Sequence, residues 1–221
     1  MKRIITLLTA LVLCLSLFAC SEPEPEPVYY PVDPSTSYTV SLPRAEGRTN
    51  FVQFTMEGGS TFVVELYPDV APITVENFQS LVENEFYNGL TFHRVYKGFM
   101  IQGGDPNGNG SGSSPNKILG EFNVNPKFEG DNDLSHTRGV LSMARRGDSY
   151  DSASCQFFIM HANNTGLDGK YAAFGRVVAG METVDTIANV KVTRQSNTNS
   201  EMTKPVERIM IVNACFVNYQ G

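Results

Sequence analysis

Phe92-His93-Arg94-Val95-Tyr96-Lys97-Gly98-Phe99-Met100-Ile101-Gln102-Gly103-Gly104 puts one fixed cation, two large apolar side chains and one neutral amide within nine residues. Read as strands at 92–96 and 99–102, alternation places Phe92 and Arg94 on one face and Met100 and Gln102 on another. Ser154-Cys155-Gln156-Phe157-Phe158-Ile159 answers it, with Gln156 and Phe158 on a common face. An apolar pocket edged by an arginine and an amide suits a small apolar ring joined to peptide backbone, which is the chemistry of proline.

Outward from this stretch the chain is rich in short strands. Phe51–Glu57 and Thr61–Tyr67 flank Gly58-Gly59-Ser60 and read as a hairpin. Between Pro68 and Asn88 the spacing of Val75, Phe78, Leu81, Val82 and Phe86 becomes helical, with Pro72 near the start and Gly89 after the end. Gly/Asn/Ser-rich loops fill 105–117, and further strands are expected near 118–121, 139–144, 155–161 and 172–178. A short helix at 181–189 precedes a last strand at about 206–217. Many strands with two helices predict a mainly β fold, an antiparallel barrel with helical covers. Some 170 residues suffice for one core and are too few for two ordinary domains.

Several blocks together resemble the cyclophilin-type peptidyl-prolyl isomerases. They are Phe92-His93-Arg94, Gly98 to Asp105, Leu141-Ser142-Met143-Ala144, Ser154 to Ile159 and Leu167-Asp168-Gly169-Lys170-Tyr171, in the family's order. The likeness runs from about Phe51 to Val217. It implies a closed eight-stranded barrel capped by two α-helices. It also implies a role for each site residue: Arg94 as catalytic donor, Gln102 as the amide that binds substrate backbone, and Phe99, Met100, Phe158 and Leu167 as the proline pocket. Ala144-Arg145 matches the segment that pairs with the residue before proline, Gln156 orders the same wall, and Tyr171 stands where relatives often carry histidine. Gly166 falls where better-known eukaryotic members have a tryptophan that covers cyclosporin and donates its indole N–H, so weak cyclosporin binding is expected.

The chemistry fits these residue types. X–Pro rotation is slow because amide resonance sets a barrier of about 18–20 kcal/mol. No bond is cut, so no nucleophile, metal or redox cofactor is required. A donor aimed at the prolyl nitrogen's lone pair, which localises as the bond twists, stabilises the transition state above the planar ground state. Other motifs lack support. His93, His136 and His161 show no metal-ligand spacing, Gly108 to Gly112 lacks a phosphate-loop ending, and no Gly-x-Ser-x-Gly elbow indicates a hydrolase.

The N-terminus reads as targeting. Lys2 and Arg3 precede an apolar run from Ile4 to Phe18, too short for a membrane span. Leu17-Phe18-Ala19-Cys20 resembles a bacterial lipoprotein box, which makes 1–19 a signal peptide and Cys20 the lipidated N-terminus. An ordinary secretory signal is the alternative, and both export the protein. Residues 20–49, with repeated Glu-Pro, form a like-charged, extended tether, some 25 residues of which span up to roughly 75 Å. Residues 50–221 then form the isomerase domain.

Composition narrows the partners. Loss of residues 1–19 removes Lys2 and Arg3 and no acid, moving net charge from −6 to −8. That disfavours nucleic acid, and membrane contact is expected through lipidated Cys20 alone. A monomer acting on proline-containing segments of exported proteins is expected. The contrasting reading is a surface proline-peptide binding module or adhesin. Cys155 and Cys215 read as buried thiols, although export permits a disulfide.

Overall fold

The computed structural model describes residue 39, residues 42–195 and residues 200–220. The expected signal peptide, Cys20 and nearly all of the tether lie outside these residues. Ten strands and two helices follow in order: β1 (Phe51–Met56), β2 (Thr61–Leu66), α1 (Pro72–Glu83), β3 (Phe92–Tyr96), β4 (Met100–Gly103), β5 (Val140–Met143), β6 (Phe157–Met160), β7 (Ala173–Ala179), α2 (Met181–Ala188), β8 (Val192–Arg194), β9 (Met202–Pro205) and β10 (Ile211–Phe216). A 3-10 turn, Thr165–Leu167, precedes β7.

The β1–β2 hairpin turns where expected, with Gly58 and Gly59 both at positive φ (95° and 89°). Helix α1 starts at Pro72, whose missing N–H leaves nothing unpaired there. No local side chain caps it. Instead the buried Glu121 carboxylate accepts from the N–H of Ile73 (3.0 Å) and Thr74 (2.7 Å) across the fold, satisfying donors that a helix leaves open. This long-range cap explains why 118–121 is not the strand expected there. The segment makes one isolated bridge, Ile118 to Ala153, and then turns Glu121 inward.

Eight strands form one curled antiparallel sheet in the order β10-β1-β2-β7-β5-β6-β4-β3. Its edges meet through a bridge from Thr91 to Met210 and backbone bonds Phe92 N–H to Ile209 O (3.0 Å) and Ile211 N–H to Leu90 O (2.8 Å). "Closed" therefore overstates the expectation: β3 and β10 touch at one end and share no continuous ladder. The remaining strands, β8 and β9, make a separate two-stranded arm that the sequence pattern did not suggest.

The interior is filled by aromatic rings. Phe54 stacks on Phe62 (4.9 Å between centroids), and Tyr87 and Phe78 meet Phe157 edge-on at 5.3 and 5.7 Å. Such contacts exclude a ligand from the interior and leave binding to the outer face. Alternation supplies that face: Ile101, Phe157 and Ile159 point inward, while Met100, Phe158 and Met160 form an outer cluster with Val140 and Ala173. Cys155 and Cys215 are buried free thiols.

Candidate active site

One expectation about this face is overturned. Phe92 pairs with Gly103 and Arg94 with Gln102, so His93 is an extra residue in a bulge. The bulge breaks strict alternation, and Phe92 enters the interior while Arg94 emerges beside the outer cluster. Phe92 and Arg94 do not share a face. Arg94 and Gln102 do, as cross-strand neighbours.

A cavity of about 250 Å³ opens there, lined by Arg94, Phe99, Met100, Gln102, Ala144, Arg145, Phe158, Leu167 and Tyr171. Nine of the ten site residues read from the sequence are thus brought together. Gln156, the tenth, lines an adjoining cavity with Gln102, Ala144 and Arg145 and is joined to the rim by an amide row. Gln102 Nε2 donates to Gln156 Oε1 (2.9 Å), and Gln156 Nε2 donates to Gly112 O (2.8 Å). At the other end Arg94 Nη1 lies 3.4 Å from Gln102 Oε1. Both amides are oriented by this row, leaving Arg94 Nη1 at the mouth of an apolar recess.

The walls brace one another. Tyr171 meets Phe158 edge-on at 5.7 Å, and the Arg145 guanidinium lies 4.8 Å from the Tyr171 ring centre. Arg145 therefore serves as packing as well as backbone. The Ala144 N–H already donates to Gln156 O (2.9 Å), so it is not open to a substrate strand.

His136 lies parallel to Phe158 at 5.9 Å, its Nδ1 2.9 Å from Asp168 and its Nε2 3.0 Å from Ser142. Asp168 follows Leu167, so one carboxylate ties two pocket walls together. The sequence reading gave neither His136 nor Asp168 a part here, because they are 32 residues apart and no local pattern links them.

Two imidazoles near the site are kept from protonating by burial. Burial lowers the pKa of His93, outweighing Asp105, and likewise that of His136, outweighing its Asp168 partner. Although the His136–Asp168 distance suits an ion pair, the buried ring is neutral, with Nδ1–H donating to the carboxylate. Both imidazoles bind protons more readily in the unfolded chain. Their contribution to stability is complete above about pH 6.5 and is lost as pH falls through the lowered folded values. Isomerisation rate should be nearly flat from about pH 6 to 8, while the melting temperature begins to drop below about pH 6.5. A bell-shaped rate profile in the upper window would implicate a titrating histidine.

An apolar recess on the outer face of a filled, curled β-sheet, edged by a guanidinium and an amide, has the size and chemistry to accept a proline ring with its peptide groups. The family description "Cyclophilin type peptidyl-prolyl cis-trans isomerase/CLD" matches residues 51–215, and the chain belongs to that family of isomerases. Peptidyl-prolyl cis-trans isomerase B of Bacillus subtilis is 41% identical over 142 residues, covering 64% of this chain and 93% of that protein. An isomerase of Acinetobacter baylyi is 42% identical over 153 residues, covering 67% and 77%. In three dimensions the fold matches a Cryptosporidium parvum cyclophilin-type isomerase crystallised with the dipeptide ala-pro. The TM-score is 0.64 at 29% identity, over 76% of this chain and 99% of that one. The chain is a peptidyl-prolyl cis-trans isomerase.

Proposed function

We propose that the protein isomerises X–Pro bonds in exported or cell-envelope proteins, as a monomer held at the extracytoplasmic membrane face by lipidated Cys20, with Arg94 as the catalytic donor. The observation that carries the catalytic part is the placement of Arg94 and Gln102 side by side at the rim of the Phe99, Met100, Phe158 and Leu167 recess. Proline fills the recess, and Gln102 holds the adjoining peptide group. As the bond twists, the prolyl nitrogen regains its lone pair, and an Arg94 N–H donates to it. The long contact from Nη1 to Gln102 is exchanged at little cost. Arginine suits the task because its charge is permanent and its fork rigid.

The location rests on the N-terminal sequence and has its own test. Cys20→Ala should move the protein from the membrane fraction to the soluble fraction while leaving turnover of a short soluble peptide unchanged. Membrane association that survives the substitution would show that another element anchors it.

Gly166 gives an expectation about inhibitors. It sits exposed in the 3-10 turn, and a Cβ there would meet only Asn164 Oδ1, at 3.0 Å. Glycine offers no indole donor and no ring. A lost neutral hydrogen bond costs about 0.5–1.5 kcal/mol and lost aromatic packing about 1–2 more, so cyclosporin should bind roughly ten- to several-hundred-fold more weakly than to a tryptophan-bearing relative. Titration by calorimetry checks this, and Gly166→Trp should recover part of the affinity. Equal affinity without the tryptophan would contradict it.

A further inference from the structure

The guanidinium of Arg94 has a second partner outside the pocket. Glu201, just ahead of β9, takes its other edge: Nε donates to Oε2 (3.1 Å) and Nη2 to Oε1 (2.8 Å). Arg94 thereby holds the carboxyl pKa of Glu201 below its ordinary value. The arm is itself fastened. The Gln195 N–H donates to Glu201 O (2.8 Å), the buried Thr203 hydroxyl lies 3.3 Å from Glu201 Oε2, and β9 packs against β3.

We propose that Glu201 is a positioning residue for isomerisation, gripping the Nε–Nη2 edge of Arg94 so that Nη1 is presented to the substrate. This rests on the reading of Arg94 as the catalytic donor. Glu201 is not among the residues lining the proline recess, so it grips Arg94 without filling the space a proline needs. With Glu201 in place, the row from Gly112 O through Gln156, Gln102 and Arg94 is anchored at both ends. An unpaired arginine samples many rotamers, and each must be given up when it donates to the twisted bond. The pair settles that conformation beforehand.

An opposing effect exists, since a carboxylate partly cancels the field of the cation. The two side chains are 27% and 31% exposed, so water screens that cancellation. Direction is not screened: a donor more than about 60° off line loses most of its bond. Positioning is therefore the larger effect.

The test compares Glu201→Ala, Glu201→Gln, Arg94→Ala and the Arg94→Ala/Glu201→Ala pair in the full-length protein, by isomerisation of a short Xaa-Pro peptide. Glu201→Ala should lower kcat/KM about five- to thirty-fold, mainly through kcat and with KM changed less than about twofold. Glu201→Gln, which keeps an amide oxygen for one N–H, should recover part of the loss. In the Arg94→Ala background the second substitution should change nothing further. The Arg94 Nε–H resonance in nitrogen-edited NMR should lose its exchange protection in Glu201→Ala, a change that a purely structural role elsewhere would not produce. Unchanged activity in both Glu201 variants overturns the proposal. So does increased activity, which would make Glu201 a brake on the donor. High activity in Arg94→Ala alone would instead strike at the reading beneath it.

Discussion

Arg94→Ala should lower kcat/KM for a short proline peptide by about 10²–10³, the usual consequence of removing one transition-state donor. The fold should survive, because the Arg94 side chain lies on the outer face and contributes nothing to the aromatic interior. Arg94→Lys should rescue poorly. A compact ammonium lacks the planar fork by which Nε and Nη2 meet Glu201 while a separate nitrogen, Nη1, faces the substrate. The expected signature is a melting temperature near that of the unsubstituted protein with nearly all catalysis gone. Retention of most activity would remove the arginine from the mechanism.

The second large effect is on stability and lies at Asp105, two residues beyond the end of β4. Its buried carboxylate accepts from the backbone N–H of Asn107 (2.9 Å), Asn109 (2.9 Å) and Gly110 (2.5 Å). Burial alone would raise its pKa, and these three donors reverse the shift and hold the carboxyl charged. Asp105→Ala leaves the donors without their acceptor, at a cost of about 2–4 kcal/mol. For a domain of this size that corresponds to a melting temperature lower by about 5–15 °C. Activity should fall too, since the Asp105 loop supplies Gly110 O and Gly112 O, which orient Gln156. Thermal unfolding followed by circular dichroism checks the first effect, and a shift under about 2 °C would show that water replaces the carboxylate.

These two residues mark what could and could not be read in the chain. The β1–β2 hairpin, both helices and the strands around Arg94, Ser142, Phe158 and Phe174 were visible as local patterns. Period two, period 3.6 and glycine turns are all written within a few residues. Pocket membership was legible through the resemblance to the cyclophilins, and alternation by itself separated only Phe158 from Phe157 and Met100 from Ile101. What escaped involves either a local exception or a distant partner. The bulge at His93 reverses the face of Phe92 relative to Arg94 without altering composition. Glu121 leaves an expected strand to cap a helix 47 residues earlier. The β8–β9 strands are only three and four residues long and mix apolar with polar positions without a clear alternation, so neither the arm nor the Glu201–Arg94 pair, 107 residues apart, had a local signature.

The proposed mechanism places the rotation of prolyl bonds at the Arg94–Gln102 rim over the Phe99, Met100, Phe158 and Leu167 recess. Two-dimensional exchange NMR on an Xaa-Pro peptide with substoichiometric protein tests it most directly, because cis and trans signals are followed together with the protein's own. The account predicts strong cis–trans exchange cross-peaks on a subsecond timescale, against the tens of seconds of the free peptide. It also predicts shift changes centred on Arg94, Gln102, Phe158 and Tyr171, and loss of the cross-peaks with Arg94→Ala. Catalysed exchange that persists in that variant, or shift changes centred away from this recess, would contradict it.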